Sequence, residues 1–196
     1  MKPLGKVKIK WSPEFAYAIG LLTTDGNLSP DGRHIIFTSK DRELVWLFKA
    51  CLGITNIIGR KARARSREKK YFVIQFGDVL FYRFLLKIGL LTNKSKILRD
   101  IQIPNLYLFD FLRGHLDGDG TFYSYWDPRW RSSHMFYIEF VSASRKHLVW
   151  LQSRIFRNMV LQGRLTGIKK HVFFKIKFAK REALEIIKKM YYNSRV

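Results

Sequence analysis

Asp25 and Asp119 have the strongest claim to chemistry in this chain, because each closes an apolar helical run at an end where an acid is out of place. The two stretches are Tyr17-Ala-Ile-Gly-Leu-Leu-Thr-Thr-Asp-Gly26 and Phe111-Leu-Arg-Gly-His-Leu-Asp-Gly-Asp-Gly120. In each, a Gly precedes a second small residue by four positions, Gly20 and Thr24 in the first and Gly114 and Gly118 in the second, so the small pair shares one helix face. Two such helices can form an interface almost backbone to backbone. Gly26 and Gly120 suit the left-handed residue that ends many helices. That leaves Asp25 and Asp119 in the last helical turn, where the dipole disfavours a carboxylate by roughly 0.3–1 kcal/mol. Side-by-side packing would also bring the two acids together, and like charges at close range raise each other's pKa unless a cation lies between them. These residue types in this placement ask for a metal ion.

One Asp-Gly is an ordinary turn signal, but two copies that end apolar helices 94 positions apart (119 − 25) point to a repeat. An EF-hand reading of Asp117-x-Asp119-Gly120 fails, because the twelfth position, which needs Glu, is Pro128. Zinc chemistry has no basis in one cysteine and five scattered histidines. Pro30-Asp31 and Glu68-Lys69-Lys70 satisfy a restriction-nuclease pattern literally, but both fall in hairpin turns.

The strings Ala18 to Gly26 and Leu112 to Gly120 resemble the two motifs of a monomeric, two-motif LAGLIDADG homing endonuclease. The second copy follows the pattern at Gly114, Asp117, Asp119 and Gly120. The first keeps Gly20, Asp25 and Gly26 but has Thr23 where the pattern has its earlier Asp. The resemblance implies that Asp25 and Asp119, helped by the Thr24 and Gly118 carbonyls, hold Mg²⁺, with Mn²⁺ or Ca²⁺ able to substitute for binding. It implies cleavage of both strands of DNA with short 3′ overhangs. Lys94 lies where the family keeps a basic residue near the scissile phosphate, and Ser39 and Ala143 stand after the second strand of each half, where the family often has Gln. The alternative on the same scaffold is a non-cleaving binder, a group I intron RNA maturase or a transcription regulator.

The elements that must position these residues can be read in order. Ser12-Pro13-Glu14 starts a helix that delivers Asp25. Short strands flank the Pro30-Asp31-Gly32 turn, and Asp41 caps a helix from Arg42 to Leu52 that stops at Gly53. From Ile57 to Gln75 the chain alternates: Lys61, Arg63, Arg65 and Arg67 share one parity, and beyond a turn Tyr71, Val73 and Gln75 oppose Phe72, Ile74 and Phe76. Four like charges at every second residue repel one another unless a polyanion neutralises them. A helix from Val79 ends at Gly89.

The second half repeats this plan. Leu44-Val-Trp-Leu47 recurs as Leu148-Val-Trp-Leu151, an offset of 104 (148 − 44), so the second half carries a longer first hairpin holding Tyr125-Trp-Asp-Pro-Arg-Trp-Arg131. The basic alternation recurs at Lys169, His171, Lys175 and Lys177, against Val172, Phe174, Ile176 and Phe178. The expected fold is α+β, with two pseudo-twofold αββαββα halves (1–100 and 101–196), each with an antiparallel sheet, joined by the motif helices into a DNA-binding saddle. A two-stranded ribbon fits the major groove. Arg33, Arg63, Arg65, Lys175 and Lys177 could donate to guanine or phosphate, Gln75 could pair with adenine, and Glu139 could accept from cytosine. Lys61, Arg67, Arg129, Arg131, Lys169 and His171 extend that surface. Tyr123, Tyr125, Trp126 and Trp130 suit either hairpin packing or backbone contact.

The charge balance agrees: 37 Lys+Arg against 15 Asp+Glu give +22 and a pI near 10.3, a field that selects polyanions. The basic residues alternate at strand period, which disfavours a membrane-surface helix. With one cysteine, no apolar leader and no membrane-length apolar run, the sequence reads as a monomer of the cytoplasm or an organellar matrix, not secreted.

Overall fold

A computed structural model describes residues 5–62, 68–130, 132–168 and 173–192. Arg63, Arg65, Arg67, Arg131, Lys169 and His171, all named above as DNA contacts, lie outside the described residues.

Ser12 starts helix α1 (Pro13–Asp25): its hydroxyl accepts the Phe15 N–H at 3.1 Å, and Pro13 holds a first-turn position whose N–H would go unused. Every residue from Phe15 to Thr23 is buried, so α1 is apolar all round and fills the middle of the molecule. The chain reverses into β1 (Gly26–Leu28) and β2 (His34–Ser39), and Asp41 then caps α2 (Arg42–Leu52). Gly53 ends α2 at φ 63°, a left-handed position that glycine adopts without Cβ strain. Strands β3 (Gly59–Lys61) and β4 (Tyr71–Gly77) lead to α3 (Val79–Lys87). The buried Asp78 caps α3 through Phe81 N–H (2.9 Å) and ties down the N-terminal segment through Lys6 N–H (2.6 Å) and Val7 N–H (2.8 Å). The same series follows as α4 (Leu108–Asp119), β5 (Thr121–Trp126), β6 (His134–Ser142), α5 (Arg145–Met159), β7 (Arg164–Ile168), β8 (Phe173–Ala179) and α6 (Lys180–Met190). The sheets are antiparallel, with matching orders β1-β2-β4-β3 and β5-β6-β8-β7.

Each sheet buries one face. In the first, Ile35, Phe37, Ile74 and Phe76 point into the core, and in the second Ile138, Phe140, Ile176 and Phe178 do the same. Alternation therefore leaves Asn27, Ile36, Gln75, Tyr71 and Lys61 on the open face of the first sheet, and Tyr123, Tyr137, Glu139, Lys175 and Lys177 on that of the second.

Two expectations need correction. Gly26 and Gly120 are extended, at φ −82° and −79°, so positive φ is not why they are glycines. The reason is steric: a Cβ on Gly26 would lie 2.5 Å from Leu22 O, and one on Gly120 would lie 2.5 Å from Leu116 O. The chain folds from helix straight into strand over its own last turn, and only a hydrogen fits.

The Leu-Val-Trp-Leu identity is also out of register by one. Val45 and Phe48 are buried in α2, whereas Leu148 and Leu151 are buried in α5 and Val149 is 41% exposed. The helix caps Asp41 and Ser144, and the core pairs' Phe37 and Phe140, give an offset of 103 (144 − 41). The structural counterpart of Ser39 is thus Ser142 rather than Ala143. Both hydroxyls accept the N–H of the following helix cap at 3.1 Å.

Among the described residues no helix is long and apolar enough to cross a membrane.

Candidate functional site between the motif helices

α1 and α4 meet through their glycines. A Cβ on Gly20 would stand 2.8 Å from His115 N, and one on Gly114 would stand 3.0 Å from the Tyr17 carbonyl carbon. At Gly118 a Cβ would overlap the Thr24 hydroxyl and stand 2.9 Å from the Thr24 Cβ. The four interface residues Gly20, Thr24, Gly114 and Gly118 therefore do what their spacing suggests: the helices touch along their backbones. Around this seam Asp117 accepts from Tyr17 (2.9 Å) and Tyr191 (2.6 Å), while the Arg113 guanidinium stacks over Tyr17 at 4.5 Å, locking α1 and α4 to the end of α6. Thr23, at the position of the missing earlier Asp, turns its hydroxyl back to Ile19 O (2.7 Å) and is buried.

This close approach carries Asp25 and Asp119, the last residues of α1 and α4, to one place. Burial, and then the neighbouring Asp119 charge, push the Asp25 carboxyl up to about 7 against the partial relief of Lys94, and burial raises Asp119 as well. Lys94 comes from the loop after α3 and is 6% exposed. Its ammonium donates to Thr24 O (3.4 Å) and to Gly26 O. Burial draws the Lys94 amine down to about 8 although both aspartates hold it up. An open groove of about 780 Å³ joins Asp25, Asp119, Lys94 and Thr24 to Ser39, Lys61 and Tyr71 of the first sheet. A smaller recess of about 170 Å³ joins Asp119 and Lys94 to Ser142 and Ala143 of the second. The acids are therefore reachable from both sheets.

Would these groups accept a cation? Among the described residues no three or more His, Cys, Asp or Glu are grouped so as to hold a metal ion. Two carboxylates with nearby carbonyl oxygens still suit a hard ion of the Mg²⁺ type, which keeps several waters and takes part of its shell from substrate phosphates. A lysine ammonium already serves as a stand-in cation on Thr24 O and the neighbouring Gly26 O, so the donor set fits.

The acid pair has a consequence for stability. A carboxyl raised in the folded state binds its proton more tightly than in the unfolded chain, so its contribution is present below about pH 4 and is lost as pH rises through about 7. Asp25→Asn removes that loss. In metal-free buffer the variant should melt higher than wild type, by a margin that grows from pH 4 to 7 and then levels, at about 1–2 kcal/mol once solvent screening of a part-exposed group is allowed for. Thermal denaturation followed by circular dichroism across that range checks it; an equal margin at pH 4 and pH 8 would remove the raised carboxyl.

The remaining site residues separate by placement. Gln75 is exposed on the open face of the first sheet, beside Ile36 of β2, and Lys61 stands there opposite Tyr71. Arg33 instead lies in the β1–β2 turn, 3.8 Å from Asp31. Arg129 is held by Asp127 in the β5–β6 turn, with contacts of 3.1 and 3.0 Å. On the second sheet Glu139 accepts two bonds from Lys175 (2.9 Å each) and one from Tyr123 (3.1 Å). Tyr125 stacks parallel on Tyr123, and both pack against Tyr137. The Lys177 ammonium lies 3.7 Å from the Tyr137 ring centroid. Trp126 and Trp130 are 64% and 68% exposed, with Trp126 against His134. Sequence reasoning passed over Tyr137, whose parity matches Glu139, and Asn27, which lines the groove two residues after Asp25.

Two αββαββα repeats, seamed along paired glycine helices that each end in an aspartate, define the LAGLIDADG class of fold. Residues 12–89 match the family model of the LAGLIDADG-like domain, and the second half repeats the same order of elements. The N-terminal LAGLIDADG domain of DUF199/WhiA is similar at 13% identity and TM-score 0.59, over 95% of this chain and 85% of that one. I-DmoI, solved in complex with DNA and Mn, is similar at 13% identity and TM-score 0.60, over 94% of this chain and 98% of that one. The meganuclease I-SmaMI, bound to uncleaved DNA target in the presence of calcium ions, is similar at 12% identity and TM-score 0.60, over 95% and 86%. At these identities the likeness is one of fold. Compared by sequence with curated proteins, the chain has no match.

Proposed function

We propose that this protein is a site-specific endonuclease of the homing type, which hydrolyses both strands of a DNA duplex with a divalent metal ion after reading a long pseudo-palindromic site through the major groove. The observation that carries this reading is the meeting of Asp25 and Asp119 beside the buried Lys94, at a groove open toward both sheets. Retaining two acids against each other, one of them half-buried, is costly without a cation. The structural neighbours that hold DNA with Mn or with calcium ions support the same partner and ion class.

Asp25 and Asp119, with the Thr24 and Gly118 carbonyls, would hold Mg²⁺, or Mn²⁺ or Ca²⁺ in its place. The bound ion supplies an activated water and neutralises charge on the leaving oxygen. The two sheets align the duplex by pairing its phosphates with their lysines and arginines, which fixes register without reading sequence. Gln75 offers a side chain suited to adenine on the first sheet. On the second sheet the Glu139–Lys175 pair and the Tyr123–Tyr125–Tyr137 stack with Lys177 are already fixed in the free protein, so little side-chain freedom is lost on binding. Lys94, close to both acids, offsets charge developing on the phosphate.

A second reading, a non-cleaving binder of DNA or group I intron RNA on the same scaffold, draws on the ammonium that already holds Thr24 O and the neighbouring Gly26 O. Selection of bound duplexes from a randomised pool, followed by addition of Mg²⁺, separates the two. Double-strand breaks within the selected site support cleavage; tight binding with intact strands overturns it in favour of the binder.

A further inference from the structure

We propose that Lys94 is a tethered counter-cation: its ammonium holds the carbonyls on either side of Asp25, one of which, Thr24 O, belongs to the proposed metal ligands, and it must leave before a divalent ion is held there. The inference rests on the reading of Asp25 and Asp119 as metal ligands and goes beyond it, since it assigns the lysine a second position and a gating role.

The geometry is specific. Thr24 O and Gly26 O flank Asp25 in the chain, and the Lys94 ammonium donates to both, while it acts on the two carboxylates through space. A buried ammonium is strongly disfavoured unless its charge is matched, and the surrounding oxygens match it here. Thr24 O cannot serve an ammonium and a divalent cation together, because two cations that share a ligand repel at close range. Metal affinity in the free protein is thereby lowered by the free energy needed to displace the lysine.

The lysine is also built to move without disturbing the fold. Its backbone carbonyl receives Ile97 N–H (3.0 Å) and Leu98 N–H (2.8 Å), and the Leu98 carbonyl is held in turn by the Ser144 hydroxyl at 2.5 Å. The main chain is thus pinned to α5 while the four-carbon side chain faces a groove of about 780 Å³. A DNA phosphate entering that groove gives the ammonium another partner. It draws Lys94 off the carbonyls, so that DNA and metal bind with positive coupling, each raising the other's affinity by the same factor.

The test uses the full chain and Mn²⁺, followed by calorimetry and by electron paramagnetic resonance of free Mn²⁺. Lys94→Met and Lys94→Gln remove the charge and keep most of the volume. Without DNA, each variant that melts cooperatively should bind Mn²⁺ about tenfold or more tighter than wild type, within the usual range for coupled sites, and adding Asp25→Asn should erase the gain. For wild type alone, a duplex with non-hydrolysable linkages should raise Mn²⁺ affinity by a similar factor. Unchanged or weaker Mn²⁺ binding by the folded variants, or no effect of duplex on wild-type Mn²⁺ affinity, overturns the gating role. Those results are independent of whether wild type cuts DNA with Mg²⁺, so failure of the gate and failure of the nuclease reading are distinguishable.

Discussion

Asp25→Asn and Asp119→Asn each eliminate linear product from a plasmid that carries the selected site, with a rate loss on the order of 10³-fold or more, as for other deletions of a group that meets charge developing in the transition state. The size follows from how little else the site has. Among the described residues only these two carboxylates offer hard anionic ligands at the groove, with no third acid to stand in for a lost one. Asparagine keeps shape and hydrogen bonding but not charge, so folding is spared. Duplex affinity without metal should hold or rise slightly, because a negative charge facing phosphates has been removed. The measurement is a time course on supercoiled substrate, paired with a gel-shift titration of the same variants. Wild-type rates in either variant would take the chemistry away from the acid pair, and lost binding would mean that the acids support the fold instead.

The fold was legible to the extent that it is local. Ser12, Asp41, Asp78 and Gly53 announce helix ends by chemistry that needs no knowledge of the rest of the chain, and period-two alternation fixed which side of β4 and β8 is core. The repeat was also visible, but its register was not, because matching letters at Leu44 and Leu148 outweighed the buried faces that determine which residues are equivalent. For Gly26 and Gly120 the sequence shows that a glycine is present, whereas the obstacle it avoids, the carbonyl of Leu22 or Leu116, exists only once the strand folds back over the helix. Side-chain partnerships across strands were the least legible. Glu139 and Lys175 sit on different strands, and nothing in their separation in the chain tells that they pair. Lys94 was placed near the acids through a family resemblance, but its bonds to the carbonyls beside Asp25 depend on a loop conformation that includes Asn93 at φ 51°.

Gly114→Ala should destabilise the protein, and that sign is informative. In a helix interior this change ordinarily gains about 0.5–1 kcal/mol, because alanine gives up less backbone freedom on folding. Here the new methyl would run into the carbonyl of Tyr17, with Leu21 N 3.1 Å away, and both obstacles are the backbone of a buried helix that cannot swing aside. Overpacking of this kind costs about 1–3 kcal/mol and sometimes more. Gly20→Ala faces the Phe111 carbonyl from the other helix and should behave alike. Because both changes open the same seam, once one has forced the helices apart the second costs less, and the double variant falls short of the sum. Gly59→Ala is the control: its Cβ would find only ordinary contact, at 3.6 Å from Val73, so stability should hold. Urea denaturation gives the free energies, and cleavage by whatever fraction remains folded gives the functional arm. A seam widened even slightly moves Asp25 and Asp119 apart, so activity should fall further than the loss of folded protein accounts for. A Gly114→Ala protein as stable and active as wild type would mean that α1 and α4 do not touch at their glycines, and the acids would then have no scaffold that brings them together.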